Sequence, residues 1–129
     1  MPIVRSEANT VTAYLASFAG ADPDDIVAFI ADEFVNEHLS ELGSGGVGAD
    51  DYRRRLPGFL ATFAGARYTV LDVAGDGTAV VVRYRFEATF EGTDIDIPGI
   101  MWFTVVDGMI TRRTDLWDSL TFLRQTGQA

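Results

Sequence analysis

Asp115 is the residue whose setting could do chemistry. It falls within residues 99–127, GIMWFTVVDGMITRRTDLWDSLTFLRQTG, in a run that otherwise reads as strand and is rich in aromatic groups. A carboxylate there is either a turn residue at a strand end or the working group of a pocket. Proton abstraction next to a carbonyl needs a base of tuned pKa and a donor for the developing oxyanion. Apolar surroundings tune a carboxylate, because desolvation penalises its charged form. Trp102, Leu116 and Trp117 are expected to supply those surroundings. Two plainer roles stay open: pairing with an arginine of a neighbouring strand, or a hydrogen bond to backbone at the strand end.

The companions come from the other end of the chain. Residues 34–38, FVNEH, read as a short strand, and alternate side chains of a strand share a face. Asn36 and His38 therefore point together with Phe34, while Val35 and Glu37 point away. His38, the chain's one histidine, could be a second acid/base or the oxyanion donor; it could equally be structural. Asn36 could orient His38 or a substrate oxygen, or be a polar strand-edge residue. Tyr14 could turn its hydroxyl into a cavity or pack in the core. Phe18, Phe59 and Trp117 are candidate pocket walls. Trp102, with Met101, would line the floor or form a dimer face.

Helices and strands must position these groups. Val11, Tyr14, Leu15 and Phe18 recur at helical spacing over residues 8–19, ended by Gly20. Asp22 caps a second helix with Pro23 at its first position, and Ile26, Phe29 and Ile30 form its buried stripe. Residues 43–48, GSGGVG, form a flexible connection or pocket-rim loop and lack the spacing and lysine of a phosphate-binding motif. Asp50 caps a third helix carrying Tyr52, Leu56, Phe59, Leu60 and Phe63, and Pro57-Gly58 predicts a kink or break within it. From residue 67 the reading is β: strands at 67–74, 78–90, 94–106 and 109–117, with turns at Gly75-Asp76-Gly77, Glu91-Gly92-Thr93 and Asp107-Gly108. The 78–90 strand alternates Val80, Val82, Tyr84, Phe86, Ala88 and Phe90 against Val81, Arg83, Arg85 and Glu87. Apolar core against a solvent-facing charge ladder is the favoured reading; the sharper one turns Arg85 and Glu87 into a pocket. Asp118-Ser119 starts a closing helical turn. Helices followed by consecutive antiparallel strands give an α+β fold in one domain, residues 1–129.

Composition narrows the function classes. The chain has 129 residues, net charge −9, no cysteine and no lysine among its ten basic residues. Disulfides, thiolate chemistry, zinc-thiolate sites, Schiff bases and a P-loop lysine are excluded. One histidine excludes an imidazole metal cluster, and no cofactor motif is present. The acidic surface disfavours nucleic acid and anionic lipid as partners. Arg53-Arg54-Arg55 is expected to be a solvated helix face pairing with Asp50 and Asp51. No apolar run reaches the ~18 residues of a membrane span. The first ten residues lack a signal-peptide core, so a cytoplasmic location is expected.

Together the helices, the FVNEH strand and the ending resemble the nuclear transport factor 2-like superfamily. More closely, the chain resembles its SnoaL-like polyketide cyclase and ketosteroid isomerase-related members. The specific part is Asp107-Gly108-Met109-Ile110, then Asp115-Leu116-Trp117-Asp118, then Leu123-Arg124-Gln125-Thr126-Gly127. The resemblance implies a cone: a strongly bent antiparallel sheet closed by three N-terminal helices around an internal apolar cavity. It implies an apolar small-molecule ligand, no cofactor, a homodimer, and Asp115 as the acid/base of a cyclase or isomerase. His38 stands where ketosteroid isomerases carry their catalytic aspartate. Limonene epoxide hydrolases share the fold and carry Arg-x-Asp on the long strand; the match here is Arg85-Phe86-Glu87. A ligand-binding or assembly domain without catalysis is the alternative from another class.

Overall fold

A computed structural model describes residues 6–75 and 77–129. The first helix, α1 (Glu7–Ser17), starts where Ser6 accepts a hydrogen bond from the Asn9 amide. Val11, Tyr14 and Leu15 are buried along its inner face. It tightens into a 3-10 turn, Phe18–Gly20, that keeps Phe18 buried, and the left-handed residue ending it is Ala21 rather than Gly20. Helix α2 (Pro23–Val27) is capped by Asp22 as expected, but it is only five residues long. Ile30 belongs instead to β1 (Ile30–His38), where it pairs with Ile110; a strand partner overrides the helical stripe.

The loop at residues 43–48 contains a short strand, β2 (Gly46–Val47), antiparallel to β1. Helix α3 (Ala49–Thr62) follows. Its cap position is Gly48, not Asp50, which lies in the first turn with Asp51. Pro57 and Gly58 do not break it. Both are exposed, and buried Leu56 and the half-buried Phe59 and Leu60 hold the helix on the core on either side of them. Strands β3 (Ala64–Ala74), β4 (Ala79–Phe90), β5 (Thr93–Val106) and β6 (Met109–Trp117) come next, then α4 (Ser119–Gln125), capped by Asp118. Of the expected turn at 75–77, Asp76 lies outside the described residues. The Asp107-Gly108 turn has both residues at positive φ, the two-residue geometry whose twist matches the strands it joins.

The six strands form one open sheet, ordered β2-β1-β6-β5-β4-β3. It is mixed rather than antiparallel: β1 runs parallel to β6. Register irregularities in three of the pairings bend it. Three α-helices precede β3, with β1 and β2 between α2 and α3, and α4 comes from the C-terminus. On β4 the favoured alternation holds: Val80, Val82, Tyr84, Phe86 and Ala88 are buried, while Arg83 and Arg85 are exposed. Outside, Arg83 pairs with Asp72, Arg85 with Asp96 and Glu87 with Arg67.

Candidate functional site

The site grows from the period-two alternation of β6. Arg113 and Asp115 point inward and are 5% and 3% exposed. The parallel pairing sets Asn36 beside Arg113 and His38 beside Asp115, although 77 residues separate each pair in sequence. Asp115 accepts from the Tyr84 hydroxyl at 2.6 Å and from Arg113 Nη2 at 3.0 Å. His38 Nδ1 stands 3.9 Å from Asp115 Oδ2 and accepts from Trp117 Nε1 at 3.3 Å. In the neutral ring that acceptor role leaves the proton on Nε2. Gly99, opposite Tyr84 on β5, leaves room for this contact, because a Cβ there would overlap the Tyr84 ring and hydroxyl.

Arg113 is the hub. Nη1 donates to Tyr14 at 3.1 Å and, at the 3.5 Å limit, to Tyr52; Nη2 donates to Tyr68 at 3.4 Å as well as to Asp115. Tyr14 and Tyr52 share a short hydrogen bond. Burial opposes the guanidinium charge, but Tyr14, Tyr68, Asp115 and Tyr52 outweigh it and hold Arg113 cationic. Burial likewise pushes the Tyr52, Tyr68 and Tyr84 phenols upward, so all three stay protonated. His38 moves the other way. Burial, with the Arg113 charge next, lowers its pKa against the pull of Asp115. Two buried side-chain atoms among the described residues lack a protein partner: Asn36 Oδ1 and Arg113 Nε. They belong to register neighbours on β1 and β6.

A pocket of about 490 Å³ opens onto this cluster. Phe18, Phe59, Phe63, Phe86, Trp117 and Phe122 contribute to an aromatic wall, and Asn36, His38, Arg113, Asp115, Tyr68 and Tyr84 bring the polar groups. Leu42, Gly43, Ser44 and Arg55 also line it, so residues 43–48 contribute to its wall. Arg55 donates to the Gly45 carbonyl and, like Arg54, approaches Asp51; Arg53 pairs with Asp24, and none of the three pairs with Asp50.

The expected residues therefore divide. Asp115, His38, Asn36, Phe18, Phe59 and Trp117 reach the pocket. Trp102 does not: it pairs with Thr114 on the outer face and is 55% exposed, while its neighbour Met101 is inward and buried. Leu116 is also on the outer face, so neither Trp102 nor Leu116 surrounds Asp115. Tyr14 is fully buried behind the pocket and holds Arg113. Arg85 and Glu87 face outward, so the Arg-x-Glu set of an epoxide hydrolase does not form; Tyr84 and Phe86 occupy the inner face. The arginine that meets Asp115 is Arg113, from its own strand. Sequence reasoning missed it, although two-residue spacing puts positions 113 and 115 on one face. Asn36 makes no hydrogen bond to His38 that would orient it. No group of three or more potential metal ligands occurs among the described residues, and no described helix is long and apolar enough to cross a membrane.

Comparison with known proteins gives three kinds of result. No curated protein matches. Among solved structures, similar folds occur in a protein of ketosteroid isomerase-like fold from Catenulispora acidiphila, in complex with trimethylamine (17% identity, 93% of each chain, TM-score 0.84). An epoxide hydrolase of the limonene type from M. tuberculosis aligns at 21% identity over 92% of this chain and 86% of its own, TM-score 0.79. TerC, co-crystallised with polyporic acid, aligns at 22% identity over 92% and 95%, TM-score 0.78. These identities speak for the fold alone. The SnoaL-like domain family matches residues 11–113, most of the chain. With that match over most of its length, the chain belongs to the SnoaL-like domain family.

Proposed function

We propose that this protein binds an apolar, oxygenated small molecule and moves a proton on it, in a reaction of cyclase or isomerase type. Asp115 is the acid/base and His38 its helper. One observation carries the reading: a buried carboxylate on the wall of an aromatic pocket, 3.9 Å from a histidine whose burial favours the uncharged ring. A neutral imidazole can accept or relay a proton, and the aromatic wall gives the pair apolar surroundings. The small molecules bound by the similar folds, trimethylamine and polyporic acid, support a ligand-binding pocket.

A second reading, ligand binding without catalysis, draws on a specific fact. Both Asp115 oxygens already accept hydrogen bonds, from Tyr84 and Arg113, so the carboxylate also serves to neutralise a buried cation. The test is a thermal-shift screen of aromatic ketones and phenols, followed by mass-spectrometric turnover with the hits. Turnover that Asp115→Asn abolishes while binding persists supports the enzyme. Tight binding with no turnover by the unaltered protein favours the second reading.

We propose a homodimer formed through the outer sheet face, where Ile100, Trp102 and Leu116 are about half exposed.

A further inference from the structure

We infer that Arg55 forms a carboxylate-binding subsite at the rim of the pocket, so that the ligand is amphipathic: an apolar body among the aromatic side chains and one anionic end at Arg55. This rests on the reading of the pocket as a ligand-binding site and not on the acid/base role of Asp115.

The arginines at 53–55 do not share one environment. Along α3, Tyr52, Arg55, Leu56 and Phe59 recur at helical spacing on one face, and all four line the pocket. Arg53 and Arg54 do not line it; Arg53 pairs with Asp24 and Arg54 with Asp51. The Arg55 guanidinium is held from two directions. Nη1 donates to the Gly45 carbonyl at 2.7 Å, and Nε lies 3.6 Å from Asp51 Oδ2. The loop closes tightly around it. A Cβ at Gly46 would overlap the Asp51 carboxylate and come within 3.5 Å of Arg55 Nη1, and one at Gly45 would overlap the Asn36 carbonyl. Gly46 is also the register partner of Asn36, itself a pocket residue. With Nη1 and Nε engaged, Nη2 donates to no described residue.

Charge says what that free edge takes. Among the lining residues, the ionised side chains are Arg55, Arg113 and Asp115. Arg113 and Asp115 offset each other as an ion pair, and burial favours the uncharged His38 ring. Asp51 lies outside the lining, and Arg54 and Arg55 share it. Two guanidiniums on one carboxylate leave one positive charge in excess at the rim. That charge is felt inside the pocket, where Arg55 opposes protonation of His38. The chain as a whole is acidic, with net charge −9. A single local cation against that background attracts one negative charge and disfavours a more highly charged ligand. A guanidinium suits a carboxylate in both charge and N–H geometry. Phe59, one helical turn on from Arg55, belongs to the aromatic wall that receives the apolar body.

Binding of 2-naphthylacetate and of its neutral amide to the full chain, measured by calorimetry at low salt, tests this. The unaltered protein should bind the carboxylate about 3- to 10-fold more tightly than the amide; Arg55 is about half exposed, so solvent limits the gain. In Arg55→Gln that preference should vanish while amide binding stays. Arg53→Gln, the same change in net charge on the same helix but outside the pocket, should leave it unchanged. Raising the salt should shrink the preference in the unaltered protein without weakening the amide. Equal affinities in the unaltered protein, a preference indifferent to salt, or one that survives Arg55→Gln overturns the inference, and continued amide binding then leaves the pocket reading standing. Equal loss of both ligands in Arg55→Gln also overturns it, because the guanidinium would then only hold the loop. Binding of neither ligand by the unaltered protein sinks the pocket reading and the inference with it.

Discussion

Replacing Arg113 with methionine tests whether the buried guanidinium organises the site. Methionine keeps most of the volume, so the change reports charge and hydrogen bonding more than a cavity. Four groups lose a donor: Tyr14, Tyr52, Tyr68 and Asp115. Both partners of the ion pair are within 6% of full side-chain burial, so solvent screens the loss little. Removing one partner of such a pair costs about 3–5 kcal/mol. An unfolding entropy of ~2.1 cal/mol/K per residue over 129 residues gives about 0.27 kcal/mol/K. The expected fall in Tm is therefore about 11–18 °C. Urea and thermal unfolding, followed by tryptophan fluorescence, measure it. Arg113→Met/Asp115→Asn completes a double-mutant cycle, and the double variant should be less damaged than the two single losses added together, by ~2 kcal/mol. Arg85→Ala is the control: its pair with Asp96 is about half exposed, and such pairs contribute about 1 kcal/mol at most. A cost for Arg113→Met no larger than the control's, or a cycle additive within ~0.5 kcal/mol, would refute the reasoning.

His38 should give stability a pH slope. Its native pKa is lowered, by burial and then by Arg113, so the unfolded chain binds the proton more readily. The contribution is complete above the unfolded value of about 6.5 and is lost as pH falls from there through the lowered native value, at up to ~1.4 kcal/mol per unit. His38→Gln should flatten denaturation midpoints in that window; Glu37 and Asp118, also lowered, act only in the carboxylate range below it. Gly99→Ala puts a methyl group into Tyr84, so stability should drop by about 1–3 kcal/mol and proton-transfer activity should fall as Asp115 loses its donor. Trp102→Glu on the outer face should shift the protein toward monomer in sedimentation while leaving ligand binding intact; a dimer that persists removes that face from the assembly.

The elements were legible because their signals are local. Helical spacing located α1 and much of α3, the Asp22-Pro23 cap located α2, and Asp107-Gly108 located the last hairpin. The errors arose where a partner distant in sequence decides. Ile30 reads as the end of a helical stripe, yet pairing with Ile110 makes it strand. Pro57-Gly58 reads as a break, yet the packing of Leu56 on one side and of Phe59 and Leu60 on the other carries the helix through. Alternation says which residues share a face but not which face is covered. Trp102 therefore reads as either pocket floor or dimer face, and the covered face turns out to be that of its neighbour Met101.

Register is the property that no local signal contains, and the site depends on it. A one-residue slip of β1 along β6 would turn Asn36 and His38 outward and bring Val35 and Glu37 to the pocket. The observed register is held from outside by Glu37, which accepts from Arg112 at 3.1 Å and Thr114 at 2.9 Å. It is held at its end by Ser40, which donates to the Trp117 carbonyl and accepts from the Trp117 amide at 2.6 and 2.8 Å. These polar contacts flank the His38–Asp115 pair on two sides. An exposed ion pair contributes little energy, but one that exists only in the correct register selects against the slipped alternatives. Glu37, on the face of β1 turned away from the pocket, and Ser40, just beyond the strand, thus position the His38–Asp115 pair as surely as the residues that face it.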